Sequence, residues 1–340
     1  MTSFASGPVG VKQRQDSAAQ LPAEQLKKMY EEMVTARLID ERMWLLNRAG
    51  QAAFVISCQG HEAAQIGAGF ALELGKDFLL PYYRDLGLAL HFGLTPRDVM
   101  LSLLGKHGDP TSQGRQMPAH YSSRKLKIIT GSSPVATQLP HAVGIALAAK
   151  VRGEDSVALT CTGEGGSSQG DFHESLNFAA VQKLGVIFLI QNNGWAISVP
   201  QKKQMAIQHV SDRAAAYGMP GVSVDGTDPL AVYAVVKEAA DRARRGEGPT
   251  LIEALVHRFT AHSSDDDDRT YRTLEELKEE RTHDPIVNFR ARLIEDGVMS
   301  EDDANEIEKR VKAEVDDATD FAEKAPYPDV AELTLHVYGS

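Results

Sequence analysis

Apolar positions follow two rhythms along this chain, and the switches between them outline a fold. Leu26, Met29, Tyr30 and Met33 recur at helical spacing, which predicts a helix running to about Arg48 and stopping near Gly50. Residues 1–22, rich in Ser, Gln, Gly and Ala, show little periodicity and read as a mobile amino-terminal arm. In the middle of the chain, strand-like and helix-like segments alternate. Ser156 to Thr162 reads as a buried strand, followed by the turn Gly163-Glu164-Gly165-Gly166. A helix from about Asp171 to Lys183 then carries Phe172, Leu176, Ala179 and Ala180 on one face. Val186 to Ile190 is the next strand, ending in Gln191-Asn192-Asn193-Gly194. Val222 to Val224 forms another, and Asp228 with Pro229 caps and opens a helix that ends at Gly246. Leu251 to Val256 is a further strand, leading into an irregular charged stretch from His257 to Arg272.

Alternation of this kind predicts an α/β fold, a parallel sheet flanked by helices. Charged helical sequence from Leu274 to about Lys324 packs on the outside or against a partner. With no internal repeat and no linker, residues 23–340 read as one domain with a helical carboxyl-terminal extension.

Charge narrows the function. A formal net charge of −11 argues against a nucleic-acid surface, which needs clustered Lys and Arg. Cys58 and Cys161 stand far apart without zinc-ligand spacing, so a reducing compartment is expected. The unbroken apolar run Val186 to Ile190 is far too short to span a bilayer, and the first twenty residues lack the apolar centre of a secretory signal. The expectation is an intracellular protein without a membrane partner.

The two strand-to-turn junctions, at Gly163-Glu164-Gly165 and at Asn192-Asn193, are separated by one crossover helix. Adjacent parallel strands would place both at the sheet edge where open parallel sheets bind ligands. Glu164 then offers a carboxylate oxygen and Asn193 a carbonyl oxygen, hard donors suited to a small divalent cation that keeps phosphate and water as other ligands. The glycines admit a close backbone approach, and the next helix N-terminus adds its amides. A Gly-rich turn also opens dinucleotide folds, but those want an acidic residue about twenty positions on, where this chain has Asn192 and Asn193. A merely structural turn is the remaining alternative.

Gly163-Glu164-Gly165, twenty-six residues, then Asn192-Asn193 resembles the thiamin diphosphate motif usually written GDG…NN, whose Glu variant also occurs in the branched-chain family. Further segments are similar to the alpha subunits of branched-chain 2-oxo acid dehydrogenases: Pro81-Tyr82-Tyr83-Arg84-Asp85, Gly114 to Pro118, Ser132 to Gln138, and His262-Ser263-Ser264-Asp265-Asp266 before Tyr271-Arg272. The likeness runs from about residue 24 onward. It implies the thiamin-diphosphate-binding fold, with Mg²⁺ held by Glu164, Asn193 and the backbone carbonyl of Trp195. Tyr83, Arg84 and Arg258 would grip the diphosphate, a guanidinium fork matching phosphate oxygens better than a lysine. Gly165 and Gly166 would lie against the cofactor, with Ser133 and Val135 at its aminopyrimidine and bent waist. Relatives often carry Leu in place of Val135, and Arg or Glu in place of Gln191, so one charge contact with the diphosphate is absent here.

The resemblance also implies that His262 sits by the thiazolium ring and helps hand the acyl group onward, as a group titrating near neutrality can; a lone histidine in an acidic loop is the plain alternative. His257 and His120 are read as structural. Asp265 to Asp268 reads by itself as a solvated, self-repelling face. Family likeness instead makes it part of a loop that orders over the cofactor, tied down by Asp266, Tyr271 and Arg272. Ser263 matches the serine that kinases modify in eukaryotic relatives, where a phosphate among aspartates would disorder the loop. Ser132, Pro134, Thr137 and Gln138 match a potassium site, or else form a turn capped by small polar residues. Phe54 resembles a residue of the branched substrate pocket, shared with Tyr83, or is simply core.

The implied reaction is oxidative decarboxylation of a branched 2-oxo acid, with the cofactor as electron sink and acyl transfer to a lipoyl group on a transferase component. A separate beta subunit would supply the glutamate facing the aminopyrimidine, in an assembly of two alpha and two beta chains. A bacterial cytoplasm is expected ahead of a processed mitochondrial matrix form. The rivals are the alpha subunit of a pyruvate or acetoin dehydrogenase and, from another class, a non-catalytic scaffolding subunit.

Overall fold

A computed structural model describes residues 21–335, so the expected amino-terminal arm lies outside the described residues except for Leu21 and Pro22. Helix α1 (Ala23–Arg48) buries the stripe Leu26, Met29, Tyr30, Met33, Ile39 and Met43, as its spacing predicts, and Gly50 follows it at positive φ. Beyond it come α2 (Glu62–Phe70), the three-residue strand β1 (Phe78–Leu80), α3 (Leu86–His91) and α4 (Pro96–Leu103), the last opened by a capping box of Thr95 and Asp98. Helix α5 (Gln138–Arg152) stops at Gly153 in the left-handed region. Strand β2 (Ala158–Gly163) and helix α6 (Gly170–Gln182) lie where the sequence predicts them. Between them Glu164–Ser168 winds as a 3₁₀ turn, so the α6 N-terminus starts beyond the glycines rather than at them.

Strand β3 (Val186–Asn192) is buried throughout. A small antiparallel hairpin, β4 (Trp195–Ala196) with β5 (Val199–Pro200), follows it, then the single turn α7 (Gln201–Gln204). Strand β6 (Gly221–Asp225) leads to α8 (Pro229–Arg244), where the Asp228 carboxylate accepts from the N–H groups of Leu230 and Ala231 as expected of a cap. Strand β7 (Thr250–Leu255) precedes the long loop to residue 272. Helices α9 (Leu274–Arg281), α10 (Pro285–Glu295) and α11 (Glu301–Lys324) form the carboxyl-terminal part. Of the two placements open for that part, packing on the chain itself is seen. Helix α11 lies against α1 and α4, burying Ala304, Ile307, Val311, Val315 and Ala318 in their core.

Five strands pair in the order β1-β2-β3-β7-β6, every pair parallel. Side chains alternate between two cores. Leu159, Cys161, Ile187, Leu189 and Ile252 join the core under α1, α2, α8 and α11. Ala158, Val186, Phe188, Ile190 and Leu251 face the other, with α5 and α6. The crossovers over α5 and α6 therefore cover one face and that over α8 the opposite face, which puts the reversal of strand order between β3 and β7. Open parallel sheets bind ligands beyond the carboxyl ends of strands at such a reversal. Among the described residues, no helix is long and apolar enough to cross a membrane.

Candidate active site

Strand register brings the expected residues to one edge. Gly163 pairs with Gln191 and Asn192 with Leu255, so β2, β3 and β7 end level. Just past these ends stand Glu164, Asn193 and Arg258, while Tyr83 and Arg84 follow β1 and His262 lies four residues beyond Arg258. Gly166 is obligatory for this packing, since a Cβ there would fall 2.1 Å from Thr162 Oγ1; one on Gly165 would meet the Ala196 Cβ at 2.9 Å.

The polar groups facing this crevice are incompletely paired. Glu164 is buried, and Oε2 accepts from the Asn193 backbone N–H at 3.3 Å, but Oε1 has no partner. Arg258 is also buried. Its Nη2 donates to Ile197 O at 3.0 Å and to Tyr271 Oη at 2.9 Å, whereas Nε and Nη1 have no acceptor. Arg84 donates to the Ser57 carbonyl and stacks its guanidinium 5.4 Å from the Tyr83 ring centre. Burial raises the Glu164 carboxyl above the usual carboxylate range, and burial together with the Arg84 charge pulls Arg258 below the usual guanidinium range. An unpaired buried acceptor beside unpaired buried guanidinium donors is costly unless a cation and a multiply charged anion fill the space between them. A metal–diphosphate pair fits that donor set: oxygen ligands for the ion and guanidinium forks for the phosphates. Among the described residues no three His, Cys, Asp or Glu side chains converge on a metal-sized space, so an ion here must draw on amide and backbone oxygens as well. The Asn193 carbonyl oxygen, which accepts from Trp195 N at 3.1 Å, is one of these.

The loop after β7 is held by its own side chains. Asp266 accepts from the His262 backbone N–H at 2.8 Å and from the Tyr271 hydroxyl. Arg272, fully enclosed, donates to Arg258 O at 2.8 Å and to Glu280. The Trp195 ring packs 5.5 Å from the Tyr271 ring and 5.8 Å from the Arg272 guanidinium. The acidic run is thus divided, with Asp265 and Asp267 exposed and Asp266 turned inward as a strut. Ser263 is buried, its Oγ accepting from Asp265 N at 3.3 Å. Ser264 clasps Val55 in both directions: its N–H donates to Val55 O at 2.8 Å and its Oγ accepts from Val55 N at 3.1 Å.

His262 lies edge-on to Tyr83 at 5.8 Å, with Nδ1 3.4 Å from Arg84 Nη2. The expectation that it titrates near neutrality is corrected: burial, with Arg84 and Arg258 close by, pushes its pKa down to about 4. The ring is neutral at pH 7, its Nδ1 lone pair facing a guanidinium donor and its proton on Nε2.

The segment 132–138 forms a more open rim. Ser133 Oγ is 2.8 Å from His120 Nε2, whose Nδ1 faces the carbonyls of Met117 and Pro118; the histidine read as structural therefore holds a candidate cofactor contact. Val135 is exposed. Thr137 Oγ1 donates to Pro134 O at 3.2 Å across a turn that holds Ala136 at φ +76°, and Gln138 donates to Cys161 O at 2.6 Å; Ser132, just before this turn, is half-buried. Phe54 lines an apolar cavity with Met43, Val99, Leu103, Pro118 and Tyr121. His257, half-buried, stacks on His283 at 5.0 Å.

Sequence reasoning missed the polar cluster behind the crevice. Gln191, facing inward from β3, accepts at Oε1 from Gln65 Nε2 at 3.0 Å, lies 2.9 Å from His61 Nδ1, and donates from Nε2 to Asp85 Oδ1 at 2.5 Å. His61 is fully buried, held uncharged by burial and by Arg84, and burial pushes Asp85 up to about 7. Gln191 is thus committed to the interior, where a longer charged residue would have to displace this network to meet a phosphate. Gly60, at φ +92°, lets the His61 loop pass the chain after β7; a Cβ there would sit 2.2 Å from His257 O. The one available signal was the adjacency of Gly60 and His61 to a helix start.

Residues 30–331 match the family described as the dehydrogenase E1 component. The chain is 56% identical over 310 residues to the 2-oxoisovalerate dehydrogenase subunit alpha of Bacillus subtilis, covering 91% of this chain and 94% of that one. It is 42% identical over 325 residues to the pyruvate dehydrogenase E1 component subunit alpha of Staphylococcus aureus, covering 95% of this chain and 85% of that one. Its counterpart in Staphylococcus epidermidis is 41% identical over the same span.

Proposed function

We propose that this chain, which belongs to the dehydrogenase E1 component family, is the alpha subunit of a branched-chain 2-oxo acid dehydrogenase, acting on 3-methyl-2-oxobutanoate and related acids with acyl transfer to lipoyl groups. One observation carries the site. The unpaired Glu164 oxygen and the unpaired Arg258 donors lie just past the strand ends that flank the strand-order reversal, the place and the donor set that a magnesium–diphosphate anchor needs. Thiamin diphosphate, when bound, supplies the electron sink on which a 2-oxo acid loses carbon dioxide.

The chain's own residues do the rest. Glu164, Asn193 and the Trp195 carbonyl hold Mg²⁺, while Tyr83, Arg84 and Arg258 bind the diphosphate oxygens, with Gly165 and Gly166 keeping the backbone clear. Ser133 and Val135 flank the cofactor's aminopyrimidine and waist, and Phe54 with Tyr83 borders the substrate. Neutral His262 keeps Nδ1 on Arg84 and so presents its Nε2–H as a hydrogen-bond donor toward the acyl group at the hand-over. Arg272 and Asp266 keep the loop closed, and Ser263 is its modifiable position. Ser132, Pro134, Thr137 and Gln138 are read as a potassium-holding turn that braces Ser133.

The partners are a beta subunit, in a two-alpha, two-beta assembly, and a lipoyl-bearing transferase, within a cytoplasm, with residues 23–340 acting as one domain. Exposed Val135 (42%), Ile197 (53%) and Val199 (42%) along the crevice rim support an apolar partner surface there. Turnover of 3-methyl-2-oxobutanoate against pyruvate by the complex with its cognate beta chain tests the substrate. A preference for pyruvate would select the relationship with the staphylococcal chains instead. In the same complex His262→Ala is expected to leave assembly intact and slow lipoyl acylation on the order of a hundredfold; wild-type acylation would remove His262 from the chemistry.

A further inference from the structure

Side-chain amides look alike at both ends, but backbone groups do not, and they fix the direction of every bond in the cluster behind β3. The Gly87 N–H donates to Gln65 Oε1 at 2.9 Å, and the Arg84 carbonyl accepts from Gln65 Nε2 at 2.8 Å. Gln65 therefore has one orientation, and its remaining amide hydrogen points at Gln191 Oε1, 3.0 Å away. Gln191 then turns Nε2 to Asp85 Oδ1, whose carboxyl is itself fixed by the Tyr82 N–H at 3.0 Å. With an oxygen facing it at 2.9 Å, His61 Nδ1 carries the ring's proton, so Nε2 is bare. That lone pair lies 3.3 Å from Asn193 Nδ2. The Asn193 amide is consequently held at both ends, its NH₂ by His61 and its oxygen by the Trp195 N–H at 3.1 Å.

We propose that His61 is a positioning residue: through this one-way chain it holds the NH₂ of Asn193 away from the crevice, so that the amide presents oxygen, not nitrogen, to the cation. Without it the amide is fixed only by the local bond to Trp195 within a two-residue turn. Partners of this kind behind a metal ligand typically matter about 10–100-fold in metal affinity. The inference rests on Glu164 and Asn193 being the cation anchor.

The test is a Mg²⁺ titration of thiamin diphosphate binding, by calorimetry, to the complex of this chain with its beta subunit. His61→Leu is expected to raise the Mg²⁺ needed for half-saturation roughly tenfold or more. His61→Gln, whose amide nitrogen and oxygen are spaced much like the ring nitrogens, is expected to stay within about threefold of wild type. Wild-type Mg²⁺ dependence in His61→Leu, or a His61→Gln variant as weak as the leucine one, would overturn the proposal. Should the leucine variant fail to assemble, ring-nitrogen NMR of ¹⁵N-histidine-labelled wild-type complex decides: a bare Nε2 on His61 supports it and a protonated Nε2 overturns it. Thiamin diphosphate binding by wild type that ignores Mg²⁺ would instead bring down the anchor itself, and this inference with it.

Discussion

Asn193 stands between two polar regions in opposite states. Behind it, both polar ends of Gln65, Gln191, His61 and Asp85 are paired. In front, Glu164 Oε1 and two nitrogens of Arg258 are buried with nothing to bond. The same strand end serves both, so the contrast does not arise from burial alone. A completed network stiffens the frame, while an incomplete one carries a free-energy cost that only a charged ligand removes.

The largest test of this contrast is Glu164→Ala. In the assembled complex it is expected to abolish Mg²⁺-dependent thiamin diphosphate binding by calorimetry, yet change the heat stability of the unliganded chain little, because removing an unpartnered buried oxygen offsets the loss of the long Oε2 bond from the Asn193 N–H. A clear loss of unliganded stability would show that the front is not waiting for a ligand. Next is Arg258→Met, which removes both unpaired donors, along with the Nη2 bonds to Ile197 and Tyr271, while keeping an unbranched apolar stem. Binding should weaken on the order of a hundredfold, the effect of about two charge-assisted hydrogen bonds; an unchanged dissociation constant would place the diphosphate elsewhere.

The smallest effect belongs to the region behind. Asp85 is pushed up to about 7 in the folded chain, so between the unfolded value near 4 and that pH the native state holds a proton the unfolded chain has released. Its contribution is full at the acid end of the window and declines as pH rises to about 7. Asp85→Asn should therefore flatten the stability profile across this range in denaturant titrations, and an unaltered slope would show that Asp85 is already ionised there.

Long patterns were legible from sequence, and short or enclosed ones were not. Helices α1, α6 and α8 and strands β2, β3 and β7 announce themselves through extended periodicity or apolar runs, α8 with the Asp228 cap as well. Strand β1, three residues long, exists because β2 pairs with it. Helix α2 is buried on nearly every side and so has no polar face to reveal its period. At the site, Glu164 and Asn193 could be joined in advance because one crossover separates them. His61 and Gln191, which are 130 residues apart and share no motif, could not. Nor could the suppressed basicity of His262, which depends on Arg84, 178 residues away, folding against it.

The double clasp between Ser264 and Val55 makes the loop measurable. Each residue donates its amide to the other, so parting the two segments releases both hydrogens together, and the backbone-to-backbone bond from Ser264 to Val55 O is broken only by that parting. Deuterium uptake at these two positions should rise and fall in step, gauging how often the chain around His262 lifts away from the crevice.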